Sequence, residues 1–424
     1  MERRKIAMVL ILIGLVFTVL SFNGCSAAAN QQQNKKNQTP SFSLNRIGSS
    51  AIFPLRGNVY PSGYYYVAVM VGKPPKPYFL DIDTGSDLTW IQCDAPCVRC
   101  NESPHPPYRP AKNLINCADP LCSALNSKDK NFKCENPREQ CDYDVEYADQ
   151  ALSVGVLVKD AFILRFSNGS LFGPRLVFGC GYDQQSPSST AFKADGVLGL
   201  GNGETGIVSQ LRNIGLTRNI IGHCISAQGG GYLFIGDDLI PSSGVVWTPM
   251  SQSSSLEKQY SPGTAELSYG ARSTGVKKLL VIFDSGSSYT YFNLQAYQAF
   301  ISSVRNLVGK QLKPVDDKAL PVCWKGKKPF KSIQDVKAYF APATLTFSKK
   351  AQLVIPPENY LIITENGNVC LGILNGSEVG LEDLNIIGDI SLQDMLVIYD
   401  NEKHQIGWTP KKCSGTPKSG SVPL

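Results

Sequence analysis

Tyr78-Phe79-Leu80-Asp81-Ile82-Asp83-Thr84-Gly85-Ser86 is the stretch that decides how this chain folds. Tyr78 to Ile82 reads as a buried strand. The chain then meets Asp83 and turns at Gly85, where no Cβ obstructs the bend. Leu88 and Trp90 resume the apolar pattern. A carboxylate therefore stands where a strand ends in a tight loop, with the Thr84 and Ser86 hydroxyls beside it. A second copy follows nearly half a chain later. Leu279-Leu280-Val281-Ile282-Phe283 enters Asp284-Ser285-Gly286-Ser287, with Tyr289 and Tyr291 beyond. One such tetrapeptide is most often a surface turn. Two, each behind an apolar strand, point to two similar lobes that bring one carboxylate each to a shared cleft.

Composition fits that picture. The chain has 424 residues, of which 42% are apolar, enough for two substantial cores. Gly 38 and Pro 27, among runs of Val, Ile, Tyr and Thr, favour an all-β chain with many turns. The formal charge of +6 is spread along the sequence. No basic stripe with interleaved aromatics appears, so nothing favours a nucleic-acid partner.

The paired motifs resemble the DTG/DSG signatures of the pepsin-like aspartic proteases. Further marks of that family follow each Asp. These are Val197-Leu198-Gly199 within Asp195-Gly196-Val197-Leu198-Gly199-Leu200, and Ile386-Ile387-Gly388 before Asp389. Trp90 lies seven residues after Asp83, as the family's cleft tryptophan does. The resemblance runs from about Tyr64 to Trp408. The cysteines after Asp83 and the run Asp284 to Phe292 are most similar to the plant nucellin-like and nepenthesin-like branch.

The resemblance implies an all-β, bilobal pepsin-like fold with a cleft between the lobes and a few short helices. It implies an aspartic endopeptidase acting on peptides or proteins at acid pH. Asp83 and Asp284 would be the catalytic dyad. Ser86 and Ser287 would bond the outer carboxylate oxygens and Gly85 and Gly286 would donate N–H groups to the inner ones, with Thr84 and Ser285 in support. Tyr147 would be the flap tyrosine, on a hairpin spanning Tyr143 to Asp160, and would contact substrate together with Trp90. The family usually has glycines just after that tyrosine, whereas this chain has Ala148 and Gln150. Neither a metal nor an organic cofactor is implied. One alternative is an inactive relative that binds or inhibits another enzyme such as a glycosidase. A glycosidase using two carboxylates is a second, but it gives no reason for a duplicated strand–Asp–Gly turn.

The remaining sequence supplies the setting. Residues 1–29 read as a secretory signal: Arg3, Arg4 and Lys5 lead an apolar run from Ile6 to Phe22, and Cys25 to Ala29 offers small residues for cleavage. The run is long for a signal, so an uncleaved anchor is the rival reading. A secreted, apoplastic or vacuolar protein is expected, without a membrane span after signal removal, and as a monomer. Residues 30–58 read as a disordered segment or short propeptide, 59–240 as the first lobe, 241–413 as the second and 414–424 as a polar tail. Of 13 cysteines, Cys25 falls in the signal, which leaves an even set: Cys93, Cys97, Cys100, Cys117, Cys122, Cys134, Cys141, Cys180, Cys224, Cys323, Cys370 and Cys413. Cys93-x3-Cys97-x2-Cys100 has zinc-like spacing, but an oxidising pathway and only three scattered histidines favour disulfides. Spacing leaves their connectivity open, while the resemblance implies Cys323–Cys370 and Cys224–Cys413. Cys93 to Cys141 reads as a loop-like insertion that crosslinks would stabilise. Gly201-Asn202-Gly203-Glu204-Thr205-Gly206 matches G-x-G-x-x-G, but without an alternating βαβ series it reads as a turn. Leu294, Tyr297, Phe300, Ile301, Val304 and Leu307 repeat at helical spacing and predict the longest helix. Sequons at Asn37, Asn101, Asn168 and Asn375 permit glycosylation.

Overall fold

Strand alternation builds the sheet that carries Asp83. In Tyr64–Val71, the residues Tyr65, Val67, Val69 and Val71 point into the core, while Tyr64, Tyr66, Ala68 and Met70 face the other way. This strand pairs antiparallel with Lys76–Asp83, whose Leu80 and Ile82 are fully buried. The computed structural model describes residues 49–415, apart from 97–99, 101, 128–131, 149, 186–193, 254–255 and 257. The signal, the anchor alternative, Asn37, Cys97, Asn101 and most of the polar tail lie outside the described residues. No helix among the described residues is long and apolar enough to cross a membrane.

The described strands form sheets of fourteen, eight and four strands, and the helices are few and short. The fold is all-β and bilobal. Two small arrangements repeat. Gly196–Gly199 lies parallel to Lys76–Asp83, with Asp83 opposite Gly199, and antiparallel to Trp90–Gln92. In the second half, Asn385–Ile387 lies parallel to Leu279–Phe283 and antiparallel to Thr290–Phe292. Each Asp loop is therefore a detour between two strands that a third strand clamps from below.

The first strand is Ala51–Asn58, which corrects the expectation that 30–58 stays outside the fold. It sits between Tyr64–Val71 and Gly231–Ile235, with Ala51, Phe53 and Leu55 buried. Pro54 and Gly57 interrupt its apolar pattern, but the alternation is intact. The halves also share strands. Ile220–Ile225 pairs with Met395–Asp400, which pairs with Gln405–Pro410, so the end of the chain completes the first sheet. A cut at Pro241 would pass through that sheet.

Leu294–Val308 is the longest helix among those described, capped by the Asn293 side chain, which accepts from the Ala296 N–H. Its buried face is Ala296, Phe300, Ile301, Val304 and Val308. Leu294 and Leu307 are each 46% exposed, because the seam follows i, i+4 steps from Ala296 and leaves them to one side. Phe300 meets Tyr269, Phe292 and Tyr360 edge-on at 5.4, 5.9 and 5.9 Å. Removing its ring would cost about 3–5 kcal/mol. The glycine-rich turn Gly201 to Gly206 packs against Asp87. A Cβ on Gly203 would come within 1.7 Å of Asp87 Oδ2, so a packed turn fills the space a phosphate would need.

Five disulfides join described residues: Cys93–Cys180, Cys117–Cys134, Cys122–Cys141, Cys224–Cys413 and Cys323–Cys370. Cys100 is also disulfide-bonded. The bond from Cys93 to Cys180 removes Cys93 from any zinc site. The insertion also has an apolar core of its own. Ile115, Cys117, Cys122 and Cys141 pack against Trp90, Tyr143 and Leu157. Cys224–Cys413 spans 189 residues and ties the shared strand Ile220–Ile225 to the chain end. Replacing both cysteines by serine should lower stability by roughly 2–5 kcal/mol in chemical denaturation. An unchanged midpoint would mean that strand pairing alone fixes the chain end.

Candidate active site

Asp83 and Asp284 stand at the ends of Lys76–Asp83 and Leu279–Phe283, and their loops face each other across the two halves. The loops are locked reciprocally. The Thr84 N–H donates to Ser285 Oγ at 3.2 Å, and the Ser285 N–H donates to Thr84 Oγ1 at 3.0 Å. Each hydroxyl then donates to the carbonyl below the opposite loop: Thr84 Oγ1 to Phe283 O at 3.1 Å, and Ser285 Oγ to Ile82 O at 3.0 Å. All four bonds are buried, so losing any one partner strands a polar group at a cost of about 1–3 kcal/mol.

The carboxyls have matching surroundings. The Gly85 N–H donates to Asp83 Oδ1 at 2.8 Å and the Gly286 N–H to Asp284 Oδ1 at 2.9 Å. Ser86 Oγ donates to Asp83 Oδ2, and Ser287 Oγ to Asp284 Oδ2 at 3.1 Å. A Cβ on Gly85 would lie 2.8 Å from Asp284 Oδ1, and one on Gly286 would lie 2.6 Å from Asp83 Oδ1. Only glycine lets each loop come that close to the opposite carboxyl. Asp83 Oδ1 and Asp284 Oδ1 lie 2.6 and 3.3 Å from the place a Cβ on Gly286 would take, so the two carboxyls stand side by side.

Electrostatics push the same way. Burial, then the Asp284 charge, raise Asp83 to about 7. Burial raises Asp284 as well, opposed by the Gly286 N–H. Two further acids lie close by that the sequence reading did not single out. Asp81 is raised by burial and then by Asp83 and Asp284, and Asp389 by burial and then by Asp81, Asp284 and Asp83. Among the described residues, Asp81 Oδ1 and both Asp389 carboxyl oxygens have no hydrogen-bond partner. Asp81 was visible as the residue two before Asp83 on a strand, and so on the same face.

Tyr147 follows the strand Asp142–Glu146, which pairs with Leu152–Arg165 in an antiparallel hairpin. Trp90 Nε1 donates to its hydroxyl at 2.7 Å, so the hairpin is tethered beside the Asp83 loop. Gln150 takes φ of 66° in the turn, a conformation that costs a residue with a side chain about 1–2 kcal/mol and that glycine takes freely. Asn168 is exposed, and its Oδ1 accepts from Ser170, its own sequon serine. Asn375 is half-buried and caps a short 3-10 helix, accepting from the Ser377 N–H. Asp195, one residue before the clamping strand Gly196–Gly199, is 1% exposed. It receives Ser103 Oγ, the His105 N–H at 2.9 Å and His105 Nδ1 at 2.7 Å, so the cysteine-rich insertion docks next to the strand that supports Asp83.

The raised carboxyls predict a pH signature. A carboxyl held above its unfolded value favours the fold fully below about pH 4, and that advantage is lost as pH rises to the folded value of about 7 for Asp83. Burial pushes His223 down to about 3, an opposing trend shared by any Asp83 variant. The stability of the parent relative to Asp83→Asn should therefore be greatest near pH 4 and fall towards pH 7. Thermal unfolding of both proteins across that range checks it, and a constant gap would refute it.

Comparison with known proteins agrees with this geometry. Residues 65–237 match the family model described as Xylanase inhibitor N-terminal, and 266–410 the one described as Xylanase inhibitor C-terminal. The chain is 45% identical over 390 residues to an aspartic proteinase of Oryza sativa subsp. japonica, covering 88% of this chain and 94% of that one. It is 28% identical to aspartic proteinase 39 of Arabidopsis thaliana, covering 98% and 90%. Among solved structures, basic 7S globulin from soybean superposes with a TM-score of 0.67 at 16% identity, over 88% of this chain and 99% of that one. An aspartic proteinase from Irpex lacteus superposes with a TM-score of 0.61 at 17% identity, over 88% and 100%. With its paired Asp loops, its clamped strands and a rice relative matched along most of both chains, this protein belongs to the pepsin-like aspartic proteinase family of plants.

Proposed function

We propose that the protein is an aspartic endopeptidase that hydrolyses peptide bonds in acid. The observation that carries this is the adjacent carboxyl pair, Asp83 and Asp284, held by matching donors from two loops. One proton between two carboxyls leaves one base and one acid. The base takes a proton from water, which attacks the peptide carbonyl. The acid polarises that carbonyl and later protonates the leaving nitrogen. Repulsion between neighbouring carboxylates spreads their two ionisations apart, so the pair holds a single proton over a broad acid range. Tyr147 and Trp90 would close over the substrate. No cofactor takes part in this scheme. The apolar leader supports passage through the secretory pathway, with Asn168 as the more accessible of the two described sequons, and a monomer is sufficient for the dyad.

The family model's description as a xylanase inhibitor favours a second reading, in which the fold binds another enzyme rather than cutting peptides. The altered flap turn, with Gln150 in the left-handed region, is compatible with it.

Digestion of a denatured protein substrate separates the two. Cleavage should follow a bell-shaped profile with its optimum roughly between pH 3 and 6. Asp83→Asn and Asp284→Asn should each reduce it to background while unfolding as cooperatively as the parent. No cleavage by correctly folded parent at any pH would favour the binding reading. Tyr147→Ala should slow turnover without loss of the fold, and full activity in that variant would make the tyrosine an ordinary hairpin residue.

A further inference from the structure

The sheet face beside Asp83 carries a row of aromatic rings that meets an acid. The core side of Tyr64–Val71 takes Tyr65, Val67, Val69 and Val71, so half-buried Tyr64 and Tyr66 stand on the opposite side. On the neighbouring strand, Phe79 pairs with Ala68 and Asp81 with Tyr66, which places both on that same side. Asp83 follows two residues further along, roughly 7 Å up the strand. Ring centroids run from Tyr64 to Tyr66 at 5.6 Å, Tyr66 to Phe79 at 4.8 Å and Phe79 to His105 at 4.6 Å. Asp81 therefore lies between the aromatic row and Asp83.

The acid is incomplete as it stands. Asp81 is 7% exposed, and its Oδ1 has no hydrogen-bond partner among the described residues. The ionisable groups that act on it are other carboxyls, Asp83 and Asp284. A buried carboxylate needs a paired donor, and among the described residues no cation pairs with this one. A residue with a purely structural role at this position would be served by an apolar side chain.

We infer that Asp81, flanked by Tyr66 and Tyr64, forms a subsite next to Asp83 for a cationic side chain, lysine or arginine, of a peptide substrate. The inference rests on the proteolytic reading of the Asp83–Asp284 pair. The ammonium or guanidinium group supplies the donor that Oδ1 lacks. Tyr64 and Tyr66 stack on each other, and these half-buried rings give the alkyl stem of the cationic residue an apolar surface to lie along. Burial, then the Asp83 and Asp284 charges, raise the Asp81 carboxyl. An entering cation favours the ionised form, and the proton leaves to solvent.

The test uses peptides that differ only in carrying lysine or Nε-acetyl-lysine on either side of one scissile bond. The parent should cut the free-amine peptide about tenfold faster in kcat/KM, on one side of the bond. Asp81→Asn should cut both at similar rates and still cut apolar peptides. Equal rates in the parent, or a preference that survives in Asp81→Asn, would overturn the inference. Calorimetry on the parent with a reduced-bond, uncleavable version of the same pair reads the subsite independently of cleavage and of any folding defect in the variant. Tighter binding of the lysine peptide without cleavage of any substrate would uphold the subsite and overturn the proteolytic reading. Equal binding of the pair, with other peptides still cut, would overturn the subsite alone.

Discussion

Two carboxyls buried against each other repel once both are charged, and the loops that carry them would part if nothing held them. The reciprocal bonds between Thr84 and Ser285 are what hold them. Each hydroxyl serves the opposite loop twice, accepting from its backbone N–H and donating to the carbonyl beneath it. Both loops must be present for either to be satisfied, so the dyad can assemble only as a pair. The clamping strands Gly196–Gly199 and Asn385–Ile387 then fix each loop from its own half. The two loops are thus tied to each other by hydrogen bonds and each to its own sheet by strand pairing.

The cysteine-rich insertion bears on the same scaffold. Its Ser103 and His105 meet Asp195, whose own carboxylate also accepts the Phe79 N–H at 2.6 Å. Phe79 lies on the Asp83 strand and Asp195 immediately precedes the clamp. A segment that reads from its sequence as a loop-like insertion is therefore a brace on the strands of the Asp83 loop. Its disulfides keep it compact enough to reach that position.

Much of this was legible because it is local. The two strand–Asp–Gly turns, the hairpin behind Tyr147 and the helix from Leu294 each carry their signal within a dozen residues. Other features depend on partners far away in sequence. Ala51–Asn58 gains its place from Gly231–Ile235, and its pattern is interrupted by Pro54 and Gly57. The helix face at Ala296 is chosen by the surface it packs against, so Leu294 and Leu307 turn outward despite their apolarity. Asp389 looks like an ordinary acid in a string of letters, and Asp81 shows only that it shares a strand face with Asp83. Their burial beside the dyad comes only from folding two distant strands together, as does the crowding of four carboxyls in one place.

The shared strands have a consequence for how the chain is made. Ile220–Ile225 takes Met395–Asp400 as a neighbour, and Cys224 takes Cys413. While the second half is still being synthesised, that strand has an open side, with unpaired backbone groups and an unoxidised thiol beside them. Such an edge is a template for pairing with other chains. The first half therefore cannot reach its final form ahead of the second, and the interval between them is when this protein is most exposed to wrong strand partners and wrong disulfides.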